Sequence, residues 1–492
     1  MSTDNRPDVL ILMTDQLNPH CLGYAGDPVI KTPNIDELAR EGTSFNKAYT
    51  VCPVCMPARC SIISGLYPHN HGFWTNFTDH VFPTELGSMF RDIRHAGYRT
   101  AHVGKSHWFN LPWGDDYADR LDYYSTIGIE HAVEIPGPYM TPFCKSAYSE
   151  HLQSVGLWDA YARDIAMRLE KGQYVLAPSP LPPDEHNDSL VGRKAIEFIE
   201  NCPTDHRFCL HASFPGPHSP LDAPGEYADL FDPKTIELPP NIPDVVKSGA
   251  NEYSRDEMKR MRANYYGKIA LIDHWCGKII DTLKRRGTWD NTLVIFTADH
   301  GEHMGAHGRL GKCHFNDESA RIPMILRWPG RVRTGQSTPA LAEVIDIYPT
   351  ILDAIGGTPS FGRFGTSLLP VASGETDSVH DAVFSEISGG KKGMRYMVRT
   401  PQHKWWISPG QEHLYDMDSD PYEMTNLAER GDCRDLPRDM RQRLSDFLVT
   451  SQYDWAHDYI PLFGRARIAM GSEEVHAEKF VELFEKLHQD AR

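Results

Sequence analysis

Short apolar runs, often β-branched, recur along the chain, and each is followed by a stretch with helical spacing; this alternation limits what the chain can fold into. The first run is Val9 to Met13, followed by a helix that Thr32-Pro33 opens and Gly42 closes. A second predicted helix, Thr84 to Ala96 with Gly97 at its end, leads into the run Tyr98 to Val103. Two further runs are Phe208 to Phe214 and Thr292 to Thr297. Between them Met258, Met261, Tyr265, Ile269, Ile272, Ile279, Ile280 and Leu283 recur at helical spacing up to Gly287, which predicts one long amphipathic helix. The pattern predicts an α/β fold: a large mixed, mainly parallel sheet sandwiched by helices.

With 492 residues the chain has room for a large domain and smaller additions. Around Gly356 to Gly374 the pattern dissolves into Gly, Pro and Ser, and we place a boundary there, giving a large domain over 1–375. Over 376–454, Ala382 to Ile387, Met394 to Arg399 and Lys404 to Ile407 read as a small antiparallel sheet, followed by a helix from Arg438 to Leu448. The tail, 455–492, carries the apolar stripe Phe480, Leu483, Phe484 and Leu487. A lone terminal helix is marginal in water, so the stripe is expected to pack on its own subunit or on a neighbour in a homodimer or homotetramer. Pro178 to Asp188 and Pro239 to Ser254 read as surface insertions.

Acidic residues outnumber basic ones, 67 to 50, which opposes affinity for nucleic acid or anionic membranes and makes neither an expected partner. The first apolar run is too short for a signal peptide or membrane span, so the expected location is the cytoplasm. Ten cysteines are too sparse for a disulfide scaffold, and most are expected to be small buried hydrophobes.

In open α/β sheets ligands gather at the carboxyl ends of the strands. There the sequence reads Thr14-Asp15-Gln16, Gly104-Lys105-Ser106-His107, Pro215-Gly216-Pro217-His218 and Ala298-Asp299-His300-Gly301, four sets rich in Asp, Lys and His. The sharpest signal is Cys55-Met56-Pro57-Ala58-Arg59, continuing to Ser64-Gly65. Pro57 suits a first helical turn and Gly65 its end, so Cys55 is placed at a helix N-terminus, where free N–H groups favour an anion, with Arg59 one turn on. A buried Cys beside a surface Arg, or a Cys52-x-x-Cys55 redox pair, fits the same residues. Half of a zinc site does not, because no second pair stands at suitable spacing.

That run resembles the Cys-x-Pro-x-Arg signature of type I sulfatases, within the alkaline-phosphatase-like superfamily. The resemblance extends from Pro7 to about Leu427: the strand ending in Asp15, Gly104-Lys105-x-His107, Pro217-His218, Asp299-His300-Gly301-Glu302, Gly311-Lys312 and the closing Leu414 to Glu423. It implies that Cys55 is oxidised to formylglycine by a formylglycine-generating enzyme. One hydroxyl of the aldehyde hydrate would attack sulfur; the other, once deprotonated, would expel sulfate, so a small-molecule sulfate ester is cleaved at S–O by double displacement. The same resemblance implies one divalent metal ion held by Asp15, Asp299, His300, Gln16 and the modified Cys55. Lys105, Lys312 and Arg59 are assigned to sulfate oxygens, His107 to deprotonating the second hydroxyl, His218 to the ester oxygen or leaving group, and Asn76 to an oxygen contact.

The commoner sulfatase pattern has Asp where Gln16 stands and Asn where His300 stands. The departure looks like that of choline sulfatases and phosphonate monoester hydrolases, and two neutral ligands make Mn²⁺ a rival to Ca²⁺. A phosphonate or phosphate diester hydrolase with the same nucleophile is the alternative; by the resemblance, that branch carries uncharged hydroxyl residues where Lys105 and His107 stand. A non-catalytic anion-binding relative would usually have lost part of this constellation. Aryl, choline and sugar sulfates all remain open as substrates, with specificity expected from Trp108 to Tyr148 and Pro178 to Asp188. Asn76-Phe77-Thr78 forms a glycosylation sequon that a cytoplasmic chain would not use. Asp416-x-Asp418-x-Asp420 begins like a calcium loop but has Pro421 where Gly is needed and Leu427 where Glu is needed, so it is read as a turn.

Overall fold

The structure, a computed structural model, describes residues 5–76, 80–110, 114–360, 362–430 and 435–452. Strand β1 (Asp8–Asp15) is buried at all eight positions, as are the ten residues of β5 (Phe208–Pro217) and the seven of β8 (Thr292–Ala298). Continuous rather than alternating burial requires cover on both faces, and these three strands form the centre of the large sheet. Its order is β11-β2-β10-β8-β1-β5-β3-β4, with β2 at Thr43–Tyr49, β3 at Arg99–Gly104, β4 at His131–Glu134, β10 at Met324–Arg327 and β11 at Gln336–Glu343. A two-residue strand, β9 (Arg321–Ile322), also pairs with β2. β1, β3, β4, β5 and β8 run parallel, as do β2 and β11, while β10 is antiparallel to both β2 and β8. The expected mixed, mainly parallel sheet is present.

The helix expected before Gly287 spans Arg255–Arg286; Ser254 caps it, exchanging hydrogen bonds with Glu257, and Gly287 ends it at φ 76°. The helix opened by Pro33 ends at Glu41. The helix expected over Thr84 to Ala96 is two pieces. Gly87, at φ 69°, stops a short 3₁₀ turn over Thr84–Leu86, and Ser88 then caps a new helix, Met89–His95, by accepting from the Arg91 N–H. Pro178 to Asp188 is not wholly a surface insertion: Asn187 and Asp188 are buried in the first turn of the helix Asn187–Asn201. Within Pro239 to Ser254 lies a hairpin, β6 (Val245–Ser248) with β7 (Asn251–Ser254).

The small antiparallel sheet has four strands rather than three: β12 (Val383–Ser388), β13 (Met394–Arg399), β14 (His403–Ser408) and β15 (Gln411–Asp416). The helix Asp435–Thr450 packs Met440 against its buried Val398, Trp405 and Leu414. The chain through Ser451 forms one compact unit. The tail from Trp455 and its apolar stripe lie outside the described residues. Nine described cysteines are free, eight of them buried, and no described helix is long and apolar enough to cross a membrane.

Candidate active site

Parallel pairing brings the ends of β1, β5, β8 and β3 together, and their terminal residues meet over one cysteine. Cys55 is the first residue of the helix Cys55–Ser64, which ends at Gly65 in the left-handed region (φ 65°), as the motif's Pro and Gly predict. The Cys55 sulfur lies 3.1 Å from His300 Nε2, 3.6 Å from Asp15 Oδ1 and 2.6 Å from Lys312 Nζ. His107 lines the same cavity as this sulfur, and its buried Nδ1 has no hydrogen-bond partner. Burial works against a thiolate here, but Lys105, Lys312 and His300 outweigh it and hold the Cys55 pKa well below the ordinary thiol range. The pocket therefore stabilises an anion at this point. The thiol sulfur occupies the place of the oxygen atoms that an oxidised, hydrated side chain would present.

Asp15, Cys55, Asp299 and His300 offer donor atoms within 4.8 Å of one another, all buried. Two observations test whether they suit a metal ion. Gln16 gives its amide N–H to Glu302 and leaves its buried Oε1 without a hydrogen-bond partner. His300 Nδ1 lies 2.9 Å from the Gly301 carbonyl, so its proton is committed there and the Nε2 lone pair turns toward the Cys55 sulfur and Lys312 Nζ, each 3.1 Å away. An unpaired amide oxygen, two carboxylates and an imidazole lone pair fit a divalent cation. Asp299 is itself held by the N–H groups of Gln16 and His300 through Oδ1. Among the described residues this cluster is a candidate metal site.

Arg59 stands elsewhere than expected. It is 1 % exposed; Nε donates to Asp299 Oδ2 (2.7 Å), Nη2 to Asp15 Oδ2 (3.1 Å), and Nη1 to Ser213 Oγ (2.9 Å) and the Lys105 carbonyl. Its fork is spent on two carboxylates of the candidate metal cluster and does not line the cavity. Lys105 also pairs with Asp15.

A cavity of about 750 Å³ opens over the sulfur and is lined by Cys55, Asn76, Lys105, His107, His218 and Lys312. Asn76 Oδ1 accepts from the Met56 N–H at the helix start, 2.9 Å away. His218 Nδ1 lies 2.6 Å from the Ser219 carbonyl, leaving Nε2 for the cavity. The outer wall, which the sequence left unresolved, holds Asn110, Tyr117, Glu134, Tyr139, Met140 and Phe143 from the Trp108 to Tyr148 segment, with Gln173 beside them. Among the described residues Pro178 to Asp188 contributes nothing to this wall. Sequence reasoning missed Tyr174 and gave Glu302, although inside a matched motif, no role: Glu302 takes hydrogen bonds from Gln16, Tyr174, Met304 and Gly311 at once.

A family model described as sulfatase matches residues 7–357. The chain belongs to the sulfatase family. A second model, N-sulphoglucosamine sulphohydrolase, C-terminal, matches residues 305–450. Among curated relatives, the arylsulfatase of Clostridium perfringens is 29 % identical over 86 % of this chain and 90 % of its own, and the choline-sulfatase of Rhizobium meliloti 27 % identical over 87 % and 83 %. Among solved structures, the phosphonate monoester hydrolase of Agrobacterium radiobacter superposes with a TM-score of 0.77 at 25 % identity, covering 91 % of this chain and 96 % of that one. The sulfatase is thus a sulfuric ester hydrolase with the alkaline-phosphatase-like fold, and its relatives include the choline-sulfatase and phosphonate hydrolase branch.

Proposed function

We propose that the enzyme cleaves the S–O bond of small sulfate monoesters through a formylglycine made from Cys55. The observation that carries this reading is the convergence of Lys312, His300 and Asp15 on the Cys55 sulfur in a cavity that His107 also lines. Asp15, Gln16, Asp299, His300 and the modified Cys55 would hold one divalent ion, Ca²⁺ or Mn²⁺; it supplies a charge that lowers the pKa of the attacking hydroxyl and polarises a sulfate oxygen. Lys105 and Lys312 bind the remaining sulfate oxygens and offset the charge that develops on them. One hydroxyl of the hydrated side chain forms a bond to sulfur as the ester S–O bond breaks. His218, from Nε2, gives the departing oxygen its proton. His107 takes the proton of the second hydroxyl, and sulfate leaves as the aldehyde re-forms. Burial pushes the His107 pKa below its ordinary value, which keeps the ring unprotonated and basic at neutral pH.

The apolar outer wall of Tyr139, Met140 and Phe143 favours compact aryl or alkyl esters over highly hydroxylated ones. Co-expression with a formylglycine-generating enzyme should make the tryptic peptide ending at Arg59 lighter at Cys55, and hydrolysis in ¹⁸O-water should label sulfate, not the alcohol. Full activity with an intact thiol, or label in the alcohol, overturns the mechanism. The likeness to a phosphonate hydrolase structure supports a second activity on aryl phosphonates; kcat/KM for both esters on one preparation ranks them, and a large preference for phosphonate reverses our order. We also propose that the enzyme assembles as a homodimer or homotetramer, on the apolar stripe Phe480, Leu483, Phe484 and Leu487 of the tail sequence.

A further inference from the structure

Outside the active site, His307, Glu318 and Glu423 bring an imidazole nitrogen and two carboxylate oxygens within 4.8 Å of one another. They come from three separate places: a turn after β8, the short helix Asp317–Ala320, and the loop after β15. Both carboxylates are buried, with Glu318 6 % and Glu423 3 % exposed, and each leaves one oxygen unsatisfied. Glu318 Oε1 accepts from Asn241 Nδ2 at 2.7 Å, while its Oε2 has no hydrogen-bond partner and lies 3.8 Å from His307 Nε2. Glu423 Oε2 accepts from the Asp317 N–H and pairs with Lys404 Nζ, both at 2.7 Å, while its Oε1 has no hydrogen-bond partner. Two buried carboxylate oxygens without donors, facing one imidazole, are costly unless a cation or a proton stands between them.

We propose that His307 Nε2, Glu318 Oε2 and Glu423 Oε1 form a second metal site that takes a divalent transition-metal ion. A mixed set of one imidazole and two carboxylates suits Zn²⁺ or Mn²⁺ better than an all-oxygen cation such as Mg²⁺. Asn241 Nδ2, which holds Glu318 in place, also reaches His307 Nε2 at 3.3 Å, a long contact that an ion would displace. Lys404 fixes Glu423 through the oxygen the ion does not use. His307, 14 % exposed, gives the site its opening to solvent. Two of the three residues, His307 and Glu423, hold the left-handed backbone at φ 54°, a conformation that a non-glycine residue keeps only where the surroundings enforce it.

The site would brace the loop that carries the chemistry. Gly301 donates to the carbonyl of Ser319, next to Glu318, and His303 donates to the carbonyl of Gly311, next to Lys312. An ion joining His307 to Glu318 therefore ties both ends of the segment that presents His300 and Lys312. Its role is structural, and the residues do not touch substrate.

The test is stoichiometry. The full-length enzyme, stripped with chelator and reloaded with Zn²⁺ alone, is analysed by elemental mass spectrometry after gel filtration. The wild type should retain two equivalents per chain. His307→Gln should retain one, while Asp299→Asn should lose the other equivalent. Where His307→Gln fails to fold, the isosteric Glu423→Gln serves the same comparison. One equivalent in the wild type shows that the carboxyl pair holds a proton instead, and two equivalents in the folded variants place the second ion elsewhere; either result overturns the proposal.

Discussion

At the scale of single residues, the site works because each ligand has its spare valence occupied. In the proposed site Gln16 would be an ambidentate ligand oriented by Glu302, which takes its amide nitrogen and leaves its oxygen free for the ion. Replacing Glu302 with Gln removes that directing charge while keeping the shape. We expect the Kd for the catalytic divalent ion to rise about 10–100-fold in a calorimetric titration, as for other groups that hold metal ligands; an unchanged Kd would show that Gln16 is not steered this way. The residues that gather around the Cys55 sulfur were legible in the sequence because they sit where strands stop, next to Cys55 or beside a glycine in a matched motif. Those behind them were not. Tyr174 and Gln16 meet at Glu302 from distant segments, and nothing in local spacing marks such partners. Arg59 was found but misplaced, because a motif gives a position and not the direction of a fork.

At the scale of elements, the long burial of β1, β5 and β8 made those strands easy to read, whereas β2, with exposed Asn46 and polar neighbours, lacks a clean pattern. The break at Gly87 was hidden because the residues on both sides of it have helical spacing. Gly104, immediately before Lys105, has the opposite character: its φ of 115° and the Ser213 carbonyl 1.9 Å from where a Cβ would stand leave no room for a side chain. Gly104→Ala should therefore push β3 from β5 and destabilise the fold by about 2 kcal/mol or more in denaturant melts; a loss under about 0.5 kcal/mol would refute the close approach. A second prediction concerns His380, whose Nε2 lies 2.9 Å from the buried Asp346. Burial would lower its pKa, but Asp346 outweighs burial and raises it to about 9. A raised His pKa stabilises the fold fully below the unfolded value, near 6.5, and that contribution fades as pH rises through 9. Nearby Glu343, pushed by burial to about 7, also favours acid, but its effect is spent near that pH. Between pH 7 and 9 the wild-type Tm should thus fall more than that of His380→Gln; parallel falls would remove the pair from the account.

At the scale of the whole molecule, the chain through Ser451 is compact by itself, so a protein ending at Gln452 should fold with one cooperative transition and a Tm within a few degrees of full length. Light scattering on the same sample tests the tail: a smaller mass supports its role in assembly, and an unchanged mass assigns assembly to the body. The burial of Cys55 fixes an order of events as well. Its side chain is fully enclosed in the finished fold, at the head of a helix every residue of which is buried. The proposed oxidation would therefore need the segment around Cys55 before it is packed away in this helix. Oxidation is then a step with a deadline, set by the moment the sheet closes over the helix. Folded thiol-form protein incubated with the generating enzyme should stay unconverted while a peptide spanning 50–65 is oxidised, and a cell that folds this chain faster than it oxidises it would accumulate well-formed molecules that no later treatment short of unfolding could awaken.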